Sequence, residues 1–302
     1  MNRRLFLYAA AFIAPLLTGA VGAQAADKIK VATSFSVLGD MVKQIGGDRV
    51  EVTSFVGPNG DAHVYEPTPG DAKTLADSKI LVVNGLGLEG WMSRLQKSSG
   101  FKGQVVTATK GIKTRQMEEE EHGKTRKITD PHAWQSLSNG RVYAQNIRDG
   151  LIAADPAGKD AYEANAKKFL ADIDDVEKTV KDSIAKLPPA RRKIITTHDA
   201  FGYFGATYGM EFIAPEGVST ESEASAKDVA KIIRQIKAEK IPAVFLENVT
   251  DHRLLDQIAR ETGAKVGGTL YSDALSDPSG PAGTYLDMFR HNIATLTEAL
   301  SS

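Results

Sequence analysis

The sequence predicts an α/β protein of two lobes, each with a parallel-type sheet, joined by one long backbone helix. Three observations predict it. In both halves of the chain, short apolar runs of strand length alternate with segments whose apolar residues recur at helical spacing. Ile80-Leu81-Val82-Val83 and Ala243-Val244-Phe245-Leu246 are apolar throughout, as strands buried on both faces are. Between the halves, one helical pattern over residues 156–187 would span on the order of 48 Å at 1.5 Å per residue.

The elements follow in order. Ile29-Lys30-Val31-Ala32-Thr33 reads as a strand. Leu38, Met41, Val42 and Ile45 then share a helical face that Gly46-Gly47 closes. Val50-Glu51-Val52-Thr53-Ser54-Phe55 is the second strand, and a Gly-Pro-Asn-Gly loop carries the chain to His63. A short helix from Pro69, the Ile80 strand, a helix over 89–96 and a strand over 104–107 complete the first sheet. Gly85-Leu86-Gly87-Leu88-Glu89-Gly90 lacks dinucleotide-loop spacing and reads as a tight strand-to-helix turn. From Lys110 to Asp130 apolar periodicity fails, and Glu118-Glu119-Glu120-Glu121 reads as an exposed, mobile loop. In the long helix Tyr162, Phe169 and Val176 form one stripe, and Ala166, Ile173, Val180 and Leu187 a second. Pro188-Pro189 stops it. Such a stripe suits a helix lying along the backs of both lobes. The alternation then repeats, with strands at 194–196, 210–213, 243–246 and 265–271, and helices after Ser225, from His252 and from Thr284. The expected division is therefore a first lobe over 27–154, a linker helix over 155–189 and a second lobe over 190–302.

The ends and composition bound the setting. Arg3 and Arg4, an apolar stretch to Leu17 and Ala23-Gln24-Ala25 read as a cleaved signal peptide over residues 1–25, of the general or the twin-arginine kind. The chain has no cysteine, hence no disulfide staple and no lipid-modified cysteine, which suits a free protein of the periplasm. A formal net charge of −1 gives no basic footprint for nucleic acid.

The chemistry-bearing candidates are His63, His132, His198 and Asp273, each expected just past a β-type run. In open α/β sheets, ligands collect beyond the carboxyl ends of strands. Singly, each has a structural explanation: a loop histidine, a helix cap, a core histidine, a turn aspartate. Together they offer three imidazoles and one carboxylate, a nitrogen-rich set suited to tetrahedral zinc, whereas a second carboxylate would favour manganese. Four protein ligands leave no open position for an activated water, so the set holds an ion rather than hydrolysing with one. An exported zinc hydrolase, with Glu66 or Glu247 as base, and a metal-stabilised scaffold rank below that reading. No nucleophile elbow, H-E-x-x-H or phosphate loop is present. His252 and His291 read as structural, and His122 as part of a solvated surface.

Four segments carry a family resemblance: Asp61-Ala62-His63-Val64-Tyr65-Glu66-Pro67-Thr68-Pro69; Asp130-Pro131-His132-Ala133-Trp134; Thr197-His198-Asp199-Ala200-Phe201-Gly202-Tyr203-Phe204; and Ser272-Asp273-Ala274-Leu275 with Gly283-Thr284-Tyr285-Leu286-Asp287-Met288. In this order they resemble the zinc/manganese solute-binding proteins of ABC importers (cluster A-I), whose two lobes are joined by a long helix. The resemblance implies a non-enzymatic, monomeric periplasmic protein that delivers its cargo to an ABC transporter permease. It also places the ligands on His63, His132, His198 and Asp273. Members with a carboxylate at the third position tend to carry manganese. His198 stands there, so zinc (Zn2+) is the implied cargo, with manganese (Mn2+) or broad divalent transport as the alternative. Many zinc members carry a histidine-rich loop before the second ligand. Here the loop is acidic with His122 alone, and a periplasmic metallochaperone is its expected partner.

Overall fold

A computed structural model describes residues 28–121, 124–221 and 224–301 of the chain. Residues 1–25, read from the sequence as a signal peptide, and His122 lie outside the described residues. Two four-stranded parallel sheets form the framework. The first contains β1 (Ile29–Phe35), β2 (Val50–Val56), β3 (Ile80–Val83) and β4 (Gln104–Thr107), in the order β2-β1-β3-β4.

In the second sheet the order is β10-β9-β7-β8, from β7 (Lys193–Ile195), β8 (Glu211–Ile213), β9 (Ala243–Glu247) and β10 (Lys265–Leu270). Counted within its own sheet, this is the same order as in the first. In each, the chain leaves the first strand toward one edge and the third toward the other. The crevices between β1 and β3 and between β7 and β9 are therefore the switch points at which such sheets bind ligands.

Helices α1 (Ser36–Gly46) and α4 (Leu137–Ala154) cover the first sheet, and α9 (Tyr285–Ser301) packs on β10. Helix α5 (Lys159–Ala185) runs 27 residues after a 3-10 turn at Pro156–Gly158, slightly shorter than the predicted span. Both predicted stripes of α5 are buried, from Tyr162 through Val180 to Leu187. They pack against α1, α4 and α9, and so against elements of both sheets, in one continuous apolar core running from Val31 to Leu300. The far face of the second sheet has its own core, where Ile195 and Val244 meet Ile232 and Ile236 of α7 (Ala226–Glu239) and Leu255 and Ile258 of α8 (Arg253–Thr262). Among the described residues no helix is long and apolar enough to cross a membrane.

Two expectations need correction. The segment read as a mobile loop is an antiparallel hairpin of β5 (Gln116–Glu121) and β6 (Lys124–Thr129). Its register sets Glu118 opposite Lys127, Glu119 opposite Arg126 and Glu121 opposite Lys124. A run of four glutamates facing a strand of lysine, threonine and arginine leaves no apolar alternation to detect. Helix α4 went unpredicted. Its buried face includes Gly140, Ala144 and Gly150 beside Leu137, Tyr143, Ile147 and Leu151, so glycine and alanine dilute both its apolar stripe and its helical propensity.

The turn after β3 forms as predicted. Gly85, Leu86 and Gly87 take φ of 84°, 59° and 90°. The half-buried Glu89 holds the turn, its carboxylate accepting the backbone N–H groups of Asn84 and Gly85 at 2.6 and 3.1 Å. At Gly85 the positive φ and the Thr107 methyl, 2.7 Å from where a Cβ would stand, both require glycine.

Candidate metal centre

His63 lies in the loop after β2, His198 follows β7 and Asp273 follows β10, all at the carboxyl ends of sheet strands. His132 differs from expectation. It follows the β5–β6 hairpin, a separate two-stranded ribbon, and opens the 3-10 turn Ala133–Gln135. All four nevertheless converge, with each side chain offering one donor atom and these atoms lying within 4.8 Å of one another. His132, His198 and Asp273 are fully buried and His63 is 8 % exposed.

Their spacing suits an ion at the centre. Donors about 2.1 Å from a tetrahedral ion stand ~3.4 Å from each other. Oδ2 of Asp273 lies 3.0 Å from Nε2 of His63, 3.2 Å from that of His198 and 3.6 Å from that of His132, and the His63 and His132 Nε2 atoms are 3.2 Å apart. The other carboxylate oxygen, Oδ1 of Asp273, is buried without a hydrogen-bond partner. Such an orphan is costly unless something else engages it.

Each histidine is anchored behind its ring or at its backbone. Two share one device. Asp61 Oδ1 accepts the backbone N–H of His63 at 2.8 Å, and Asp130 Oδ1 accepts that of His132 at 3.0 Å. The second oxygens face outward partners, Thr220 Oγ1 for Asp61 at 2.6 Å and Arg115 Nη1 for Asp130 at 3.0 Å. Oδ1 of Asp130 also faces the ring Nδ1 of His132 at 3.0 Å. The repeated Asp-x-His at 61–63 and 130–132 was the available signal, and the sequence reading passed over it. Glu247, considered there as a general base, instead stands behind His198, with its Oε2 2.7 Å from the ring Nδ1. Glu66 is exposed. His252 and His291 lie against the backbone carbonyls of Glu247 and Thr269, as structural histidines do.

The electrostatics reflect this packing. Burial depresses the pKa of His132, but the Asp273 and Asp130 carboxylates outweigh it and lift the imidazole to about 9. Burial likewise opposes charge on His198, and Glu247 with Asp273 lifts it well above its ordinary value. Asp273, despite a burial that favours its neutral form, is held well below the carboxylate range by His132 and His198. A divalent cation would replace the protons that these carboxylates retain on the imidazoles.

Two parallel sheets of equal topology, a long helix packed against both and a buried three-imidazole, one-carboxylate cluster at the strand ends together define the two-lobed metal-binding class of extracytoplasmic solute receptors. The family described as zinc-uptake complex component A, periplasmic (ZnuA), matches residues 31–299, and the chain belongs to it. The manganese-binding lipoprotein MntA of Bacillus subtilis is 34 % identical over 288 residues, covering 94 % of this chain and 93 % of that protein. The iron-binding protein YfeA of Yersinia pestis is 32 % identical, covering 90 % of this chain and 86 % of its own. Among solved structures, the periplasmic zinc-binding protein TroA of Treponema pallidum superposes with a TM-score of 0.84 at 30 % identity, over 90 % of this chain and 99 % of that one. The chain is a divalent-metal solute-binding protein of an ABC importer and not an enzyme.

Proposed function

We propose that the protein takes up a first-row divalent cation in the periplasm through His63, His132, His198 and Asp273, accepts manganese as well as zinc, and hands the ion to the permease of its importer. The observation that carries this reading is that the four buried donors lie within 4.8 Å of one another. Zinc alone is what three imidazoles imply. Two considerations favour the broader cargo. The relatives at 34 % and 32 % identity are named for manganese and iron. Oδ1 of Asp273, free of hydrogen bonds beside the cluster, gives the carboxylate a second oxygen with which to add a fifth bond, and manganese takes more oxygen and more ligands than tetrahedral zinc does.

The first lobe (27–154) supplies His63 and His132, the second (190–302) His198 and Asp273, and the helix region 155–189 joins them. The export-signal pattern over 1–25 supports an extracytoplasmic setting. The test is a competition: the mature protein is stripped of metal, offered equimolar zinc and manganese, separated, and its bound ions counted by elemental analysis. One ion per chain, with manganese represented, is expected. Zinc alone would restore the narrower cargo, and no ion at all would overturn the site.

A further inference from the structure

We propose that Glu247 is the positioning residue that makes His198 a ligand, by fixing the proton of its ring on Nδ1 and so aiming a bare Nε2 into the cluster. The inference rests on the four donors forming a cation site and goes one step further, to what prepares one of them. Glu247 ends β9, and β7 pairs with β9 through Ile195 opposite Val244. His198 and Glu247 each lie three residues beyond that pair, His198 past the end of β7 and Glu247 at the end of β9, at the switch point of the second sheet. Both side chains are fully buried.

The two oxygens of Glu247 have separate tasks. Oε1 accepts the backbone N–H groups of Thr197 and His198 at 2.8 and 2.9 Å, and this alone fastens the end of β7 to β9. Oε2 adds nothing to that strap. It lies 2.7 Å from Nδ1 of His198, off the line of a full hydrogen bond, and neither atom has another hydrogen-bond partner. An ionised carboxylate only accepts, so a neutral ring facing it carries its proton on Nδ1. The lone pair then falls on Nε2, which stands 3.2 Å from Oδ2 of Asp273. Partners behind a ligating histidine set its tautomer and orientation in just this way.

Glu247→Gln separates the two tasks. The amide oxygen still accepts from Thr197 and His198, so the strap survives. The amide nitrogen cannot accept from Nδ1–H, and it favours the tautomer with the proton on Nε2, where it blocks coordination. With zinc as the probe and a competing chelator to set the free ion, E247Q should bind about 10- to 100-fold more weakly than the wild type. The ion-free variant should still unfold cooperatively, because the strap through Oε1 is kept. A variant that binds zinc within twofold of the wild type overturns the role of Glu247. A wild type that binds no zinc overturns the cation site itself, a separate failure. One measurement needs no variant: in the zinc-loaded wild type, nitrogen-15 spectra of the His198 ring should show a slowly exchanging Nδ1–H and a metallated Nε2. Metal on Nδ1, or an Nδ1–H that exchanges as fast as that of an exposed histidine, overturns the proposal even if E247Q fails to fold.

Discussion

Trp134 donates its indole N–H to the carbonyl of Ser272 at 2.9 Å, across 138 residues of chain, and so ties the loop of His132 to the loop of Asp273. Gln135 donates to the same carbonyl at 2.6 Å, and the backbone N–H of Asn59 reaches the carbonyl of Leu275 at 2.9 Å. The segments bearing three of the four donors are thus fastened to one another by the protein's own hydrogen bonds. Ordering them is a cost met during folding, which leaves less to oppose binding.

Trp134→Phe should therefore weaken both fold and site. The Ser272 carbonyl keeps Gln135, so the loss is about 1–2 kcal/mol rather than that of a fully orphaned group. Chemical denaturation of the ion-free variant measures it. Zinc affinity should fall with it, because the His132 and Asp273 loops lose one of their two shared anchors on the Ser272 carbonyl. Unchanged stability with unchanged affinity would show that the Gln135 contact alone holds the cleft.

Acid and base should act in opposite directions on the two forms of the protein. In the ion-free form the pKa of His132 is raised from 6.5 to about 9, against the pull of burial, by Asp273 and Asp130. A folded-state pKa above the unfolded one contributes stability that is complete below the unfolded value and lost as pH rises through the folded value. The ion-free protein should lose thermal stability from about pH 6.5 to pH 9, whereas the loaded protein, with its imidazoles neutral, should not. Zinc affinity should climb over the same window as the protons competing for the rings are removed. At acid pH the sign reverses for Asp273. Its depressed pKa contributes stability above the unfolded carboxylate value that disappears as pH falls through the folded one. Melting scans of both forms at stepped pH would show a gap between the two curves that does not change with pH if these linkages were absent.

His198→Ala should cost more than the ~10- to 100-fold typical of removing a partner behind a ligand, since it removes the ligand itself. His122→Ala should leave zinc affinity within experimental scatter. So should replacing residues 117–126 by a short turn, because the hairpin supplies none of the four donors. Loading from a metallochaperone is where such a deletion should show. Isothermal titration with free zinc checks the first three expectations. Equal losses for His198→Ala and the hairpin deletion would mean that the hairpin belongs to the site.

Where burial and periodicity wrote the fold, the sequence was readable. Both parallel sheets, α5 with its two buried stripes and the positive-φ turn at Gly85 follow from residue spacing. The four donors were legible because three of them sit where parallel strands end. Helix α4 and the hairpin were not. One hides its face behind glycine and alanine, and the other is built from opposed charges. The anchors Asp130 and Glu247 were harder still. A carboxylate behind a histidine differs from a solvated one only in three dimensions, and β7 and β9 are neighbours in the sheet but far apart in sequence. Asp-x-His, at 61–63 and 130–132, is a local trace of Asp130 but not of Glu247.

Gly140 links α4 to the site and gives the sharpest test of packing. A Cβ there would stand 2.5 Å from the hydroxyl of Tyr285 and 3.1 Å from its ring. That hydroxyl is fully buried and donates to the carbonyl of Trp134 at 2.6 Å, two residues on from His132. Gly140→Ala sets two effects against each other. Replacing glycine inside a helix gains about 1 kcal/mol. Overpacking a filled core costs about 1–3 kcal/mol, and here it must also bend or break a buried hydrogen bond worth roughly 1 kcal/mol. The second effect should win, lowering stability by on the order of 1–3 kcal/mol in chemical denaturation and reducing zinc affinity through displacement of Trp134. Gly140→Ala paired with Tyr285→Phe should recover part of the loss, because the atom in conflict is gone. A stabilised single variant would show that Tyr285 moves freely and that α4 does not press on the metal loop.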